Sequence, residues 1–126
     1  MKKLLTALTI VLFIQCAAIA KRDYPERYYQ NEWCNKYFGV QEYELSDKTR
    51  VDCLTTNYAV EFDFAQKWAE SIGQSLHYAE MTGKNPAIVL IIEKPLDFIY
   101  YYRIKRLCNK HGIKLWYIKS PLYGLH

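Results

Sequence analysis

Two carboxylates stand two residues apart in the segment YAVEFDF (58–64), and a third, Asp52, precedes them in TRVDCL (49–54). In a strand, residues two apart share a face, so Glu61 and Asp63 project together while Val60, Phe62 and Phe64 project the other way. If the two segments pair, Asp52 comes beside Glu61, and oxygen donors on neighbouring strands are what a hard divalent cation takes. Such a cation polarises a phosphoryl oxygen and activates a water, the two requirements of phosphodiester hydrolysis. Lys67, about one helical turn past Asp63, brings a positive charge to the same region. From there Lys67, Glu70, Ser71, Gln74 and Tyr78 follow at helical spacing, a polar stripe leading away from the acids.

These groups need a scaffold, and the pattern of the chain predicts one. TRVDCL and YAVEFDF are rich in strand-favouring residues and are joined by Thr55-Thr56-Asn57, which reads as a hairpin. Residues 65–81 form a helix whose apolar stripe is Ala65, Trp68, Ala69, Ile72, Leu76 and Ala79, ended by Gly83 and Asn85-Pro86. AIVLII (87–92) is an unbroken apolar run, as expected of a central strand covered on both faces. Pro95 opens a helix over 96–110, His111-Gly112 closes it, and IKLWYI (113–118) is a last strand. Upstream, Tyr29, Trp33 and Tyr37 recur at spacing four, which predicts a short helix over 28–38 stopped by Gly39. KRDYPER (21–27) reads as an exposed lead-in. Strand-helix-strand crossovers require parallel pairing. The expected fold is therefore α/β: a small three-layer α-β-α domain around a mixed sheet of about four strands.

The first twenty residues, MKKLLTALTIVLFIQCAAIA, join two lysines to an apolar run and end in Ala18-Ile19-Ala20. This is the pattern of a secretory signal peptide cleaved after Ala20, which predicts a periplasmic or secreted protein. Gln15 before Cys16 departs from the small residue that a lipidation signal requires. No later run reaches the roughly 18 apolar residues of a membrane span, so no membrane partner is expected once the leader is gone. Residues 21–126 suffice for one domain with one core. Loss of Lys2 and Lys3 leaves 15 basic against 13 acidic residues, a balance that specifies no partner. The distribution is more telling, because residues 94–119 carry seven Lys or Arg against Asp97 alone. Among them Arg103, Arg106 and Lys110 share a helical face suited to phosphates, with Tyr100, Tyr101 and Tyr102 nearby for stacking on bases. Cys34, Cys53 and Cys108 allow one disulfide and one free thiol without choosing the pair. There is no glycine-rich phosphate loop and no G-x-S-x-G.

Asp52, then Glu61-Phe62-Asp63, then Gln74-Ser75-Leu76-His77-Tyr78 together resemble the core of the PD-(D/E)XK nuclease superfamily, in particular its RecB-type branch with a Q-x-x-x-Y helix. The resemblance spans about residues 30–118. It implies a restriction-endonuclease-like α-β-β-β-α-β core, for which residues 43–45 of QEYEL would supply the missing strand. It also implies Mg2+ or Mn2+ held by Asp52 and Glu61, DNA as the substrate, and Tyr78 with Arg103, Arg106 and Lys110 on the nucleic-acid side. Gln74 would approach the active site or the nucleic-acid backbone, and Glu32 would be an accessory acid of the first helix. Asp63 stands where the family carries lysine, and Lys67 is the residue onto which that lysine would have moved. Two functions follow: an exported metal-dependent nuclease with Asp52, Glu61, Asp63, Lys67 and Gln74 in its catalytic site, or an inactive domain of the same fold that binds nucleic acid or protein.

Overall fold

A computed structural model describes residues 21–125, so the signal-peptide expectation for residues 1–20 lies outside the described residues. The elements run α1 (Glu26–Lys36), β1 (Val40–Glu44), β2 (Arg50–Leu54), β3 (Tyr58–Phe64), α2 (Trp68–Thr82), β4 (Asn85–Ile92), α3 (Phe98–His111) and β5 (Lys114–Lys119). Short 3-10 turns at Ala65–Lys67 and Pro95–Asp97 lead into α2 and α3. The strands lie in the order β1-β2-β3-β4-β5. The first three form an antiparallel meander, and β3, β4 and β5 are parallel. The sheet thus has five strands instead of about four. The extra one is β1, an edge strand of polar sequence that overlaps residues 43–45, the segment the resemblance offered as a further strand, and starts three residues earlier.

Alternation along the strands divides the core. Val60, Phe62 and Phe64 with Ala87, Val89 and Ile91 meet Tyr29, Trp33 and Cys34 of α1. Ile88, Leu90 and Ile92 face the other way, onto Ile104 and Cys108 of α3 and Trp68 and Ile72 of α2. Helices therefore cover both sides of β4, as its continuous apolar run requires. Each fully buried side chain of this kind is worth about 2 kcal/mol, so β4 is the centre of stability. Among the described residues no helix is long and apolar enough to cross a membrane.

Three local readings change. α1 starts two residues earlier than expected, with Pro25 (φ −64°) at its N-cap. It ends through Phe38, whose φ of 55° takes the left-handed turn that Gly39 was expected to make. Gly39 serves a different need: a Cβ there would come within 2.3 Å of Cys53 Sγ and 2.6 Å of Cys34 Sγ. Those two cysteines are disulfide-bonded (S–S 2.04 Å), which ties α1 to β2, while Cys108 is a buried free thiol. Gly39→Ala is therefore expected to cost about 1–3 kcal/mol by overpacking. A lowered urea midpoint at unchanged slope would show it, and an unchanged midpoint would refute the close approach.

The buried face of α2 also differs. Ser71, Ser75 and Tyr78 point inward, whereas Leu76 is exposed. The two serines are small enough for close packing and donate their hydroxyls to Trp68 O (2.7 Å) and Ile72 O (2.9 Å), so they bury no unpaired polar atom. Finally, the lead-in is anchored. Arg22 Nη1 donates to Gln66 Oε1 (3.0 Å) and Glu93 Oε1 (2.9 Å), and its guanidinium lies over the Phe64 ring. Glu93 is a buried carboxylate at the end of β4, and a buried carboxylate without such a partner would be costly.

Candidate active site

The acids meet where the meander comes apart. β2 and β3 pair only through Cys53–Val60 and Leu54–Ala59, and continuing that register by one residue sets Asp52 opposite Glu61. The Phe62 N–H donates to Asp52 Oδ2 (2.7 Å), so a side chain takes the place of the next ladder bond. Alternation in β2 breaks at the same point: Cys53 belongs to the α1 core, yet Val51 and Leu54 both contact the cluster around Tyr78. On β1, Glu42 lies across from Asp52 between the pairs Gln41–Cys53 and Tyr43–Val51, with φ at 51°. A non-glycine residue held there costs on the order of 1–3 kcal/mol, and such strain concentrates where function constrains the backbone.

Glu61 and Asp63 are 3 % and 5 % exposed, on the face of β3 that meets α2. No ion pair relieves them. Those among the described residues join Arg22 with Glu93, Lys48 and Arg50 with Glu44, and His77 with Asp47. Burial raises the Glu61 carboxyl far above its ordinary range, and the neighbouring Asp52 raises it further. Burial likewise raises Asp52. Each carboxyl acts on the other, so the two titrate as a pair. Asp63 is pushed up to about 7, by burial and then by the charge of Glu26.

The flanking elements complete the arrangement. Gln74 on α2, with its amide nitrogen turned to the sheet, donates to both oxygens of Glu61. Tyr78, one turn further along, is 8 % exposed, packed on Leu45, Val51 and Ala59. Its hydroxyl is held above the usual phenol range by burial, with Glu61 and Asp52 adding to it. Tyr78 is therefore a buried neighbour of the acid pair. Lys67 is exposed, and its charge acts on Asp63 and Glu26 without forming an ion pair with either. Arg103, Arg106 and Lys110 are exposed on α3 and line one shallow depression with Leu107. None is among the principal charges acting on the three carboxyls.

The chain matches no family model, no curated protein and no solved structure. The site must therefore be judged on its own chemistry.

One expected residue is replaced by another. Glu32 is exposed, beside Trp33 and Lys36 at the far end of α1. The helix acid whose charge reaches Asp52, Glu61 and Asp63 is Glu26, which accepts from Gln30 Nε2 (2.9 Å). Six residues turn a helix by about 240° net of full turns, so the two glutamates cannot face the same way. Glu26, Gln30 and Trp33 do share a face, and that spacing was the available signal.

Whether the residues suit a metal can be tested on the donor set. No group of three or more His, Cys, Asp or Glu converges as a metal cluster among the described residues. A magnesium ion does not require one, since it is commonly held by one or two carboxylates with water and substrate phosphate completing its shell. Asp52 and Glu61 are two such carboxylates, all-oxygen, adjacent and without a neighbouring cation. They fit a hard divalent ion.

A pH dependence follows. Because the folded-state carboxyls titrate above their unfolded values, the stability they contribute is complete below about pH 4 and is lost as the pH rises through about 7, the value for Asp63. In chelator the thermal midpoint is expected to fall by roughly 5 °C between pH 5 and pH 8, and Asp63→Asn should flatten the fall. Mg2+ should restore the midpoint at pH 8 and do little at pH 5. A midpoint that rises over this range, in wild type and variant alike, would contradict the electrostatics.

Proposed function

We propose that this chain is a metal-dependent phosphodiesterase with a restriction-endonuclease-like core, acting on DNA. One observation carries the reading: the pair of half-buried Asp52 and buried Glu61 at the point where β2 leaves β3, with the Gln74 amide on Glu61. The order α1-β1-β2-β3-α2-β4 supports it, since it is the order that the superfamily resemblance implies.

Asp52 and Glu61 would hold Mg2+ or Mn2+. When bound, such an ion withdraws charge from a phosphoryl oxygen and lowers the pKa of a water. The chain's own groups set the stage. The Phe62 N–H fixes one oxygen of Asp52 and leaves the other for a ligand. Gln74 orients the Glu61 carboxyl. Lys67 is the cation able to approach the reacting phosphate, where a positive charge stabilises the transition state. Asp63 holds a proton near neutrality that a base could remove. Export is part of the reading, supported by the leader pattern and by the Cys34–Cys53 bond, which persists in oxidising compartments.

A second reading, an inactive nuclease fold that binds nucleic acid or protein, is favoured by Asp63 at the lysine position, with Lys67 in no ion pair among the described residues. Incubating plasmid and linear DNA with the protein in Mg2+, in Mn2+ and in chelator decides between them. Cleavage that needs metal and disappears in Asp52→Ala and Glu61→Ala supports the enzyme. A wild type that cuts nothing and binds no divalent ion removes it. If cleavage occurs, Lys67→Ala should abolish it, and Asp63→Lys should restore it in that background.

A further inference from the structure

On the side of the sheet covered by α1, away from the acids, a cavity of about 270 Å³ is lined by Trp33, Tyr37, Tyr58 and Trp116 with Thr55, Thr56 and Asn57. Its aromatic walls touch one another: Trp33 lies 4.3 Å from Tyr37 and 5.3 Å from Trp116, and Tyr58 lies 5.2 Å from Trp116, between ring centroids. Trp33 is the buried back of this wall, whereas Tyr37 is 47 % exposed and Trp116 half-buried at the mouth. Both mouth rings carry a lysine. Lys36 Nζ is 5.7 Å from the Tyr37 ring and Lys114 Nζ 5.5 Å from the Trp116 ring.

We propose that this cleft stacks one base of a single-stranded nucleic acid, with Lys36 and Lys114 on the flanking phosphates. The volume suits a single planar ring system, and apolar walls with a few placed polar groups are the usual build of a ligand site. Neither lysine is in an ion pair among the described residues, and the acid that adjoins the cleft beside Lys36 is Glu32. Lys84, bonded to Thr56 O (2.7 Å), adds a third cation at the turn. Thr55 is committed to Tyr58, but the Asn57 amide is open to read the edge of a base. A neutral sugar would use the same rings and leave the lysines without a role. Stacking is tolerant of sequence, so this contact would confer grip and little base preference. The lysines carry the assignment, so it stands apart from the proposed cleavage.

The test is binding of a short oligothymidylate by the whole protein in chelator, where no metal-dependent cleavage occurs, followed by tryptophan fluorescence. Quenching is expected, with affinity about tenfold or more weaker in Tyr37→Ala and in Trp116→Ala. Lys36→Ala should lower the slope of log affinity against log salt by about one. Tyr37 and Lys36 are at the exposed mouth, so their variants remain informative if Trp116→Ala fails to fold. Undiminished affinity in Tyr37→Ala and Lys36→Ala overturns the inference, as does quenching by a neutral oligosaccharide but not by the oligonucleotide. Asp52→Ala separates the two proposals: it should end cleavage and leave this affinity unchanged.

Discussion

Replacing Glu61 by Gln is expected to raise the thermal midpoint at pH 8 and to abolish metal-dependent cleavage. The side chain is buried beside Asp52 with no cation against it, so at neutral pH the folded chain must keep a proton on it or bury a second negative charge. An amide of the same size removes that cost and retains a hydrogen bond to Gln74. The gain should be about 1–2 kcal/mol, or several degrees in a domain of this size. Cleavage should fall at least about 100-fold, because an amide is a poor ligand for a hard cation and the charge set against the phosphate is lost. Differential scanning calorimetry and DNA cleavage on the same preparation give both readouts. A variant that is less stable and still active would sink the assignment of Glu61 to a metal.

Removing the disulfide has the other large effect. Cys34 and Cys53 are separated by 19 residues, and opening a loop of that size costs about 3 kcal/mol. The pair Cys34→Ala with Cys53→Ala should therefore melt about 10 °C or more below wild type. A local effect accompanies the global one. Cys53 is the last residue of β2 still paired with β3 before Asp52, and α1 holds it there through the bond. Without it Asp52 loses its fixed neighbour, so Mg2+ affinity should fall even at temperatures where the double variant is fully folded. Isothermal titration well below the midpoint would measure this. Equal affinity and an equal midpoint would mean that the bond does nothing for the site.

What could be read from the sequence divides along physical lines. The hairpin of β2 and β3 and the facing of Glu61 with Asp63 follow from strand alternation, and both appear in the fold. Gln74 faces the acids because α2 keeps a regular helical period from Trp68 onward. β1 is an edge strand with one covered side, so VQEYE lacks the apolar signal that marks β4. Glu26 was hidden by Pro25, which makes a helix start look like a loop. The serines of α2 count as polar in any pattern, yet their hydroxyls are satisfied within the helix and they pack as small residues. The disulfide partners could not be chosen because the contact of α1 with β2 depends on a left-handed Phe38 and a close-packed Gly39, and neither is visible as a period.

β4 has a second consequence. Covered by β3, β5 and helices on both faces, its run AIVLII is the best protected segment of the folded chain. In an unfolded chain the same six residues, rich in β-branched side chains and without charge, are a template for intermolecular cross-β stacking. Its parallel partners are recruited only after two helical crossovers, so it stays exposed longer than the local meander does. Lys84 before the strand and Glu93-Lys94 after it are placed as gatekeepers against self-association, and Lys114 and Lys119 blunt β5 as the open edge of the sheet.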